Sequence, residues 1–167
     1  TYTNQVVLLM SKGEKHSFCH SKIKSIIIPN RTYETIFRTV SETVYGENKF
    51  PRQVCCVCNT DIYFEADLLQ NLNNIDFDKE ALVITRWDVY PDGIIRLNPQ
   101  LGSYDAYFFK TPLILSSEAD FSPGLNGCDI ALAHLMSQQR VLSNPVNLVR
   151  ALHLHNVVLR TYDLNYM

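Results

Sequence analysis

The sequence predicts an α/β domain in which a mixed, mainly parallel central sheet is flanked by helices. Short apolar runs rich in β-branched residues or cysteine, such as the one at 53–58, are typical of strands buried inside a sheet. Between such runs, apolar residues recur at helical spacing. Polar residues follow several runs directly, and this is where ligands bind in open α/β sheets, at the carboxyl ends of the strands.

The first half of the chain is predicted to form two strands, a helix and a third strand. Apolar runs at 5–10 and 23–28 predict the first two strands, and the run at 53–58 predicts the third. Thr32 is suited to begin the intervening helix and Gly46 to end it. The apolar residues at helical spacing are Tyr33, Ile36, Phe37, Val40 and Val44.

The second half contains more strands than helices. A turn signal, Pro91-Asp92-Gly93, predicts a hairpin over 89–97. An apolar stripe predicts a helix over 128–140, and a shorter helix or turn is expected at 66–72. The other strands or extended segments are predicted at 81–85, 106–109, 141–142 and 148–154. We therefore expect a mixed sheet within a single domain, residues 1–167.

Length and composition exclude several classes of protein. The chain has 167 residues, of which 46 % are hydrophobic, enough for one hydrophobic core. Its net charge of −2 argues against a nucleic-acid partner, which would favour a basic excess. No apolar run approaches the roughly 20 residues that span a bilayer, and the first residues do not resemble a signal peptide. Because the chain begins without Met and almost directly on a strand, we expect an N-terminally truncated fragment.

The cysteines are Cys19, Cys55, Cys56, Cys58 and Cys128. Two of them form a C-x-x-C, but residues three apart on a strand point to opposite faces, and no second pair completes a zinc site. We interpret the cysteines as small buried residues, and reduced thiols indicate a cytoplasmic location.

Five groups of polar residues interrupt the apolar elements and are the candidates for chemistry. Such groups converge more readily at strand ends than on helices. The groups are Asn59/Asp61/Glu65, Arg86/Trp87/Asp88, Ser103/Asp105, Asp129 beside Gly127, and His153/His155.

Each group has a functional and a structural interpretation. Asp61 would bind a hard divalent cation or a sugar hydroxyl, or it would cap a short helix or close a turn. Glu65 would likewise bind a cation or a sugar hydroxyl, or it would be a solvated residue in the first turn of the helix. In the functional interpretation, Arg86 would bind a phosphate, Asp88 would bind a sugar or metal, and Trp87 would stack on a ring. In the structural interpretation, Arg86 and Asp88 would form an ion pair and Trp87 would lie in the core.

The remaining three groups also have a functional and a structural interpretation each. Asp105 lies between two tyrosines, which suits sugar binding but also a solvated edge strand. Asp129 would act as a catalytic base at the start of its helix, or it would be favoured there by the helix dipole alone. His153 and His155 share one face of an extended segment. One of them would complete a metal site with Asp61, or both would be ordinary core or surface histidines.

The order of these motifs resembles GT-A-type glycosyltransferases, which occur in bacteria and large DNA viruses. The resemblance covers nearly the whole chain. It rests on Asn59-Thr60-Asp61-Ile62-Tyr63-Phe64, Thr85-Arg86-Trp87-Asp88, Ser103-Tyr104-Asp105-Ala106-Tyr107-Phe108-Phe109, Gly127-Cys128-Asp129 and His153-Leu154-His155.

The resemblance implies a GT-A, Rossmann-like fold, a nucleotide-diphospho-sugar donor and a carbohydrate or glycan acceptor. It implies a Mn²⁺ or Mg²⁺ ion held by Asp61 together with His155 or His153. It implies Asp129 or Asp105 as the base of an inverting reaction. The donor-binding residues that it implies are Asn59, Asp61, Arg86, Trp87 and Asp88.

Two departures from the family pattern stand out. Asn59 replaces the first aspartate of the Asp-x-Asp motif, and asparagine forms hydrogen bonds without adding charge. The chain also begins at what would be the second strand, so the family's first strand and helix are expected to be absent. We therefore predict a metal-assisted glycosyltransferase, with a non-catalytic module that binds carbohydrate or nucleotide sugar as the alternative. A metal-dependent phosphoesterase is a third hypothesis, motivated by the Asp and His residues alone.

Overall fold

The structure, a computed structural model, describes residues 6–15, 17, 21–47, 53–100 and 102–154, and only the backbone at 44–47. Strands β1 (Val6–Met10) and β2 (Ile23–Ile27) pair in parallel as a small separate sheet. Helix α1 (Tyr33–Glu47) follows, and it continues through Gly46, where the sequence predicted its end.

A second sheet of seven strands forms the body of the described chain. Its centre is the ten-residue strand β5 (Glu80–Val89), twice as long as the predicted strand. The other strands are β3 (Val54–Cys58), β4 (Ile62–Phe64), β6 (Ile95–Leu97), β7 (Tyr104–Lys110), β8 (Val141–Ser143) and β9 (Ala151–Leu154). Two further helices, α2 (Leu68–Leu72) and α3 (Cys128–Ser137), connect them.

The central strand β5 changes its partners halfway along its length. Its first half lies between β7, which is antiparallel, and β8, which is parallel. Its second half lies between β6, which is antiparallel, and β9, which is parallel. The outer pairs, β3 with β7 and β4 with β9, are both antiparallel. One strand therefore carries both halves of the sheet.

The sheet is mixed as predicted, but it is not mainly parallel. Its described strands make four antiparallel pairings and two parallel ones. The predicted hairpin over 89–97 is the β5–β6 pair, and its turn is closed by a 2.9 Å hydrogen bond from the Tyr90 nitrogen to the Ile94 oxygen. Gly93 has φ +83°, which L-residues with a side chain rarely adopt. Such a short connection brings the chain straight back and forces antiparallel pairing.

The two faces of the sheet are covered unequally. Helices α1 and α3 pack on one face, where Phe37 stacks on Phe109 with 4.8 Å between ring centroids and Leu132 is fully buried. The other face buries Phe108 and Val149 under the five-residue α2. The prediction of flanking helices is therefore correct mainly for the first face. None of the described helices is long and apolar enough to cross a membrane.

We expect the burial of α3 to show in unfolding experiments. Leu132→Ala should lower the free energy of unfolding by about 2–5 kcal/mol, because it leaves a cavity under a fully buried side chain. Ile130→Ala on the same helix, where the side chain is 61 % exposed, should change it by less than about 0.5 kcal/mol. Urea titrations followed by circular dichroism measure both. Equal effects would contradict the assigned face of α3.

Candidate functional site

The chain crosses between the two halves of the sheet at Asn59-Thr60-Asp61. The Asn59 nitrogen still pairs with the Asp105 oxygen at 3.3 Å, and the Asn59 oxygen accepts from the Ile62 nitrogen at 3.3 Å to close a turn. Strand β4 then begins beside β9. Asp61 therefore lies at the junction, and its own oxygen accepts from the Leu154 nitrogen at 3.3 Å.

Six polar side chains meet at this junction in one continuous series of hydrogen bonds, which we call the polar network. At one end, Asn59 Nδ2 donates to Asp105 Oδ1 at 2.8 Å. The other oxygen of Asp105 accepts from Arg86 Nη1 at 3.0 Å. The members of the polar network are Asn59, Asp61, Arg86, Asp88, Asp105 and His153.

The series continues from Arg86 to the other end of the network. Arg86 Nε donates to Asp88 Oδ1 at 2.8 Å, and the same oxygen lies 3.0 Å from His153 Nδ1. On the far side of the ring, His153 Nε2 lies 3.0 Å from Asp61 Oδ2. The imidazole is thus held between two carboxylates.

Strand geometry explains why these residues meet. Arg86 and Asp88 are two apart on β5 and so point to the same face. Asp88 is the direct register partner of His153 on β9. The register of β5 with β7 jumps between Ile84 and Thr85, which leaves Asp105 as an extra, bulged residue on β7. A bulge re-aims a side chain, and here it turns Asp105 towards Arg86.

The network is buried at its centre and open to solvent at its two ends, Asn59 and Asp61. The side chains of Arg86, Asp88, Asp105 and His153 are 12 % exposed or less, whereas Asp61 is 49 % exposed. Burial alone would raise the pKa of Asp88, but hydrogen bonds and charge interactions with Arg86 and His153 outweigh it and lower that pKa. Burial alone would lower the pKa of Arg86, but Asp105 and Asp88 raise it above its ordinary value. Arg86 and Asp88 are therefore paired and remain ionised.

The position of His153 between Asp61 and Asp88 calls for a positive charge, because a neutral ring has one N–H for two carboxylates. A carboxylate accepts hydrogen bonds only, so Nε2 needs either a proton of its own or a shared cation. Adjacent ligands of an octahedral ion with bonds of about 2.1 Å lie about 3.0 Å apart. The observed 3.0 Å matches both that spacing and an ordinary hydrogen bond. One oxygen and one imidazole nitrogen therefore fit Mn²⁺ or Mg²⁺, which commonly takes its remaining ligands from water and substrate phosphate.

The other metal ligands are not found among the described side chains. No group of three His, Cys, Asp or Glu residues in the described part of the chain is arranged around a common ion position. His155, the other predicted ligand, lies outside the described residues.

Trp87 and Glu65 do not join the network. Trp87 alternates with Arg86 on β5 and points to the opposite face, where its Nε1 donates to the Val146 oxygen at 3.0 Å. The Arg150 guanidinium lies 4.4 Å from the centre of the indole. Arg150 also pairs with Glu65 at 2.9 Å. Both contacts are structural, but Trp87 is partly buried and not a core residue, and Glu65 precedes α2 and does not lie in its first turn.

Asp129 belongs to a second cluster at the start of α3. The Tyr107 hydroxyl lies 3.2 Å from Asp129 Oδ1 and 3.0 Å from the Tyr104 oxygen. Burial raises the pKa of Asp129, and the charge of Asp105 raises it further. Burial also raises the pKa of Tyr107 above its ordinary value.

A cavity of about 70 Å³ separates the two clusters. That volume holds a few water molecules. Asn59 and Asp105 of the polar network line it on one side, and Tyr107, which contacts Asp129, lines it on the other. The remaining lining residues are Tyr33, Ile36, Val57, Cys58, Tyr104 and Pro123. The cavity thus touches the polar network at Asn59 and Asp105, and it reaches Asp129 only through Tyr107.

Asn98 contacts the network but was not predicted. Its Nδ2 donates to Asp88 Oδ2 at 3.3 Å, and its Oδ1 accepts from the Gln100 nitrogen at 2.8 Å. Asn98 directly follows β6, as Asn59 follows β3. A polar residue at the end of a strand was thus the signal that could have found it.

Comparisons with models of protein families, with curated proteins and with solved structures found no match for this chain. The resemblance to GT-A glycosyltransferases therefore stays a prediction from the motifs.

The buried ion pairs should make Arg86 indispensable for stability. Arg86→Met should lower the free energy of unfolding by about 3–5 kcal/mol, because it leaves Asp88 and Asp105 buried without their cation. Lys79→Met, which removes an 81 % exposed partner of Asp76, should cost less than about 1 kcal/mol. Chemical denaturation of both variants tests this. Similar losses for the two variants would contradict the account.

The raised pKa of Asp129 predicts a pH-dependent gain in the Asp129→Asn variant. The folded protein holds this proton more tightly than the unfolded chain, so stability falls as pH rises from about 4 through the raised pKa. Asparagine cannot ionise, and its oxygen still accepts from Tyr107. The variant should therefore melt at a higher temperature than the unchanged protein near pH 7 and at nearly the same temperature near pH 4. Calorimetric melting curves across this range measure the difference, and a constant difference would be the contrary result.

Proposed function

We propose that the protein transfers a sugar from a nucleotide-diphospho-sugar donor to a hydroxyl group of a carbohydrate acceptor, assisted by Mn²⁺ or Mg²⁺. The observation that carries this proposal is the 3.0 Å approach of His153 Nε2 to Asp61 Oδ2 at the exposed end of the polar network. When bound, the cation supplies Lewis-acid stabilisation of the charge that develops on the departing diphosphate.

The chain's own residues divide the work between binding and proton transfer. Asp61 and His153 would hold the cation, and Asp61 is exposed enough to be reached from solvent. Arg86 is enclosed by two carboxylates, so in this proposal it holds them in place and does not contact phosphate. Asn59 borders the cavity, where its carbonyl would bind a hydroxyl group of the donor.

Asp129 suits the role of base better than Asp105 does. Both oxygens of Asp105 already accept hydrogen bonds, one from Asn59 and one from Arg86, and its residue is 5 % exposed. Asp129 has a pKa raised by burial, which brings a carboxylate closer to the range in which it accepts a proton from a hydroxyl group. Its partner Tyr107 borders the cavity where an acceptor would enter.

The finer fold assignment is part of the same proposal. Strands β3 and β5 are both antiparallel to β7 and so run in the same direction, which β8 and β9 share. This common direction supports a GT-A-type domain. A cytoplasmic location is also proposed, since Cys55, Cys56, Cys58 and Cys128 are free thiols. Of these, Cys128 is buried as the sequence predicted, whereas Cys56 and Cys58 are exposed at the edge strand β3.

A binding module without turnover is the second candidate. The Asn59 side-chain amide donates a hydrogen bond to Asp105, within the network. Asn59 is also uncharged, whereas the family has an aspartate at this first position of the Asp-x-Asp motif. A weaker metal site would hold a nucleotide sugar without activating it. Adding UDP-, GDP- and dTDP-sugars in the presence of Mn²⁺ and assaying sugar release separates the two, because only the enzyme releases sugar.

Removing the exposed carboxylate tests the site directly. Asp61→Ala should weaken binding of Mn²⁺ by about tenfold or more, because it deletes the exposed carboxylate of the polar network. Asp67→Ala, an exposed carboxylate nearby with no side-chain capping bond, is the matched control and should bind as the unchanged protein does. Isothermal titration calorimetry measures both. Unchanged Mn²⁺ affinity in Asp61→Ala would contradict the assignment of Asp61 as a metal ligand.

A further inference from the structure

Strand β3 carries two free cysteines that lie next to each other on one face of the sheet. Cys56 and Cys58 are two residues apart, so their side chains point to the same side, and both residues are exposed. We propose that this pair binds a soft cation, specifically Cu(I), between its two sulfur atoms. The proposal is independent of the proposed function, because hard ions such as Mn²⁺ prefer oxygen ligands and do not compete for thiolates.

The packing of β3 shows which cysteines belong together. Cys56 is the register partner of Phe108 on β7, and Phe108 belongs to the core cluster on the α2 face of the sheet. Cys55 instead packs against the core under α1 and α3. In the described part of the chain, β3 is also the outermost strand of its half of the sheet. Cys56 and Cys58 therefore form an accessible pair, and Cys55 faces away from it.

The two thiols of the pair interact with each other. A hydrogen bond from Cys56 holds the pKa of the Cys58 thiol below its ordinary value. Burial of its sulfur and the bond to Cys58 raise the pKa of the Cys56 thiol, although the residue as a whole is exposed. The pair thus favours one thiolate beside one thiol, with the two sulfur atoms in contact. A bound metal ion would displace the remaining proton, so its affinity should rise with pH.

The geometry of a strand suits a bridging metal ion better than a disulfide. Cβ atoms two residues apart on one strand are about 6.5 Å apart. A disulfide needs Cβ atoms about 3.5–4.5 Å apart, so closing one would distort β3. An ion with sulfur bonds of about 2.3 Å holds its two sulfur atoms about 3.8 Å apart in a tetrahedral site and about 4.6 Å apart in a linear one. Two thiolates on an undistorted strand reach that separation.

The number of ligands selects the ion. Thiolates favour Cu(I), Zn²⁺ and iron–sulfur clusters. Structural zinc sites and iron–sulfur clusters take four protein ligands. Among the residues that the structure describes, no three His, Cys, Asp or Glu side chains are arranged to hold one ion. Cu(I) has a closed d shell and is stable with two thiolates in a nearly linear arrangement, so a pair of cysteines is sufficient for it.

The first measurement uses the unchanged protein. The reduced chain competes for Cu(I), without oxygen, against bathocuproine disulfonate, a chelator whose Cu(I) complex is coloured. We expect the chain to withdraw Cu(I) from the chelator, and X-ray absorption at the copper edge to show two sulfur neighbours. A chain that withdraws no Cu(I), or that holds it mainly through nitrogen or oxygen, overturns the proposal. Retention of Zn²⁺ but not of Cu(I) overturns it as well.

The second measurement removes one sulfur at a time. Cys56→Ser and Cys58→Ser should each weaken Cu(I) binding by about 100-fold or more, since even residues behind a metal ligand contribute about 10- to 100-fold. Cys55→Ser makes the same change on the opposite face of β3 and should bind as the unchanged protein does. Circular dichroism confirms that each variant is folded. Unchanged affinity in a folded Cys56→Ser or Cys58→Ser, or an equal loss in Cys55→Ser, overturns the assignment of the pair.

A third measurement needs no variant. The unchanged protein is alkylated with iodoacetamide, with and without Cu(I), and peptide mass spectrometry follows each cysteine. Cu(I) should protect Cys56 and Cys58 and leave the rate at Cys55 unchanged. Equal rates at Cys56 and Cys58 with and without Cu(I) overturn the proposal. Because none of these readouts uses Mn²⁺ or sugar transfer, their failure and the failure of the proposed function are distinguishable.

Discussion

A single guanidinium holds the site together. Arg86 binds one carboxylate on its own strand and another on β7, and all three groups are nearly buried. Buried charges are costly unless they are paired and hydrogen-bonded, so Arg86 and its two partners are stable only as a unit. Because Asp88 also holds His153, the same constraint reaches the imidazole and, through it, the exposed Asp61. The contact of His153 with Asp61 at the solvent-facing end of the network thus depends on the buried ion pairs of Arg86.

The position of the network follows from how β5 is used. One ten-residue strand serves two sets of neighbours, and the polar residues begin where one set gives way to the other. The first half of β5 is apolar and packs under helices on one face. In the second half, Arg86 and Asp88 occupy one face while Trp87 takes the other with Arg150. A long central strand can therefore carry core and site in succession, with no loop between them.

The arrangement separates rigid groups from accessible ones. The buried part of the network has every carboxylate oxygen of Asp88 and Asp105 engaged, which suits positioning more than proton transfer. Asp61 is accessible, and Asp129, whose pKa is raised by burial, contacts Tyr107 at the edge of a small cavity. In the proposed function, Asp61 would help to hold the cation and Asp129 would accept the proton.

The sequence by itself determined the local elements and most members of the site. Helical spacing predicted α1 and α3, the Pro91-Asp92-Gly93 signal predicted the hairpin, and polar residues at strand ends predicted all six members of the network. These features depend on neighbours in the chain, which periodicity and turn chemistry describe. Only the tertiary structure decided the strand directions, the bulge at Asp105, the exclusion of Trp87, the contact with Asn98 and the place of Asp88 behind His153. Each of these depends on which strands pair and in what register, and residues far apart in the sequence set that together.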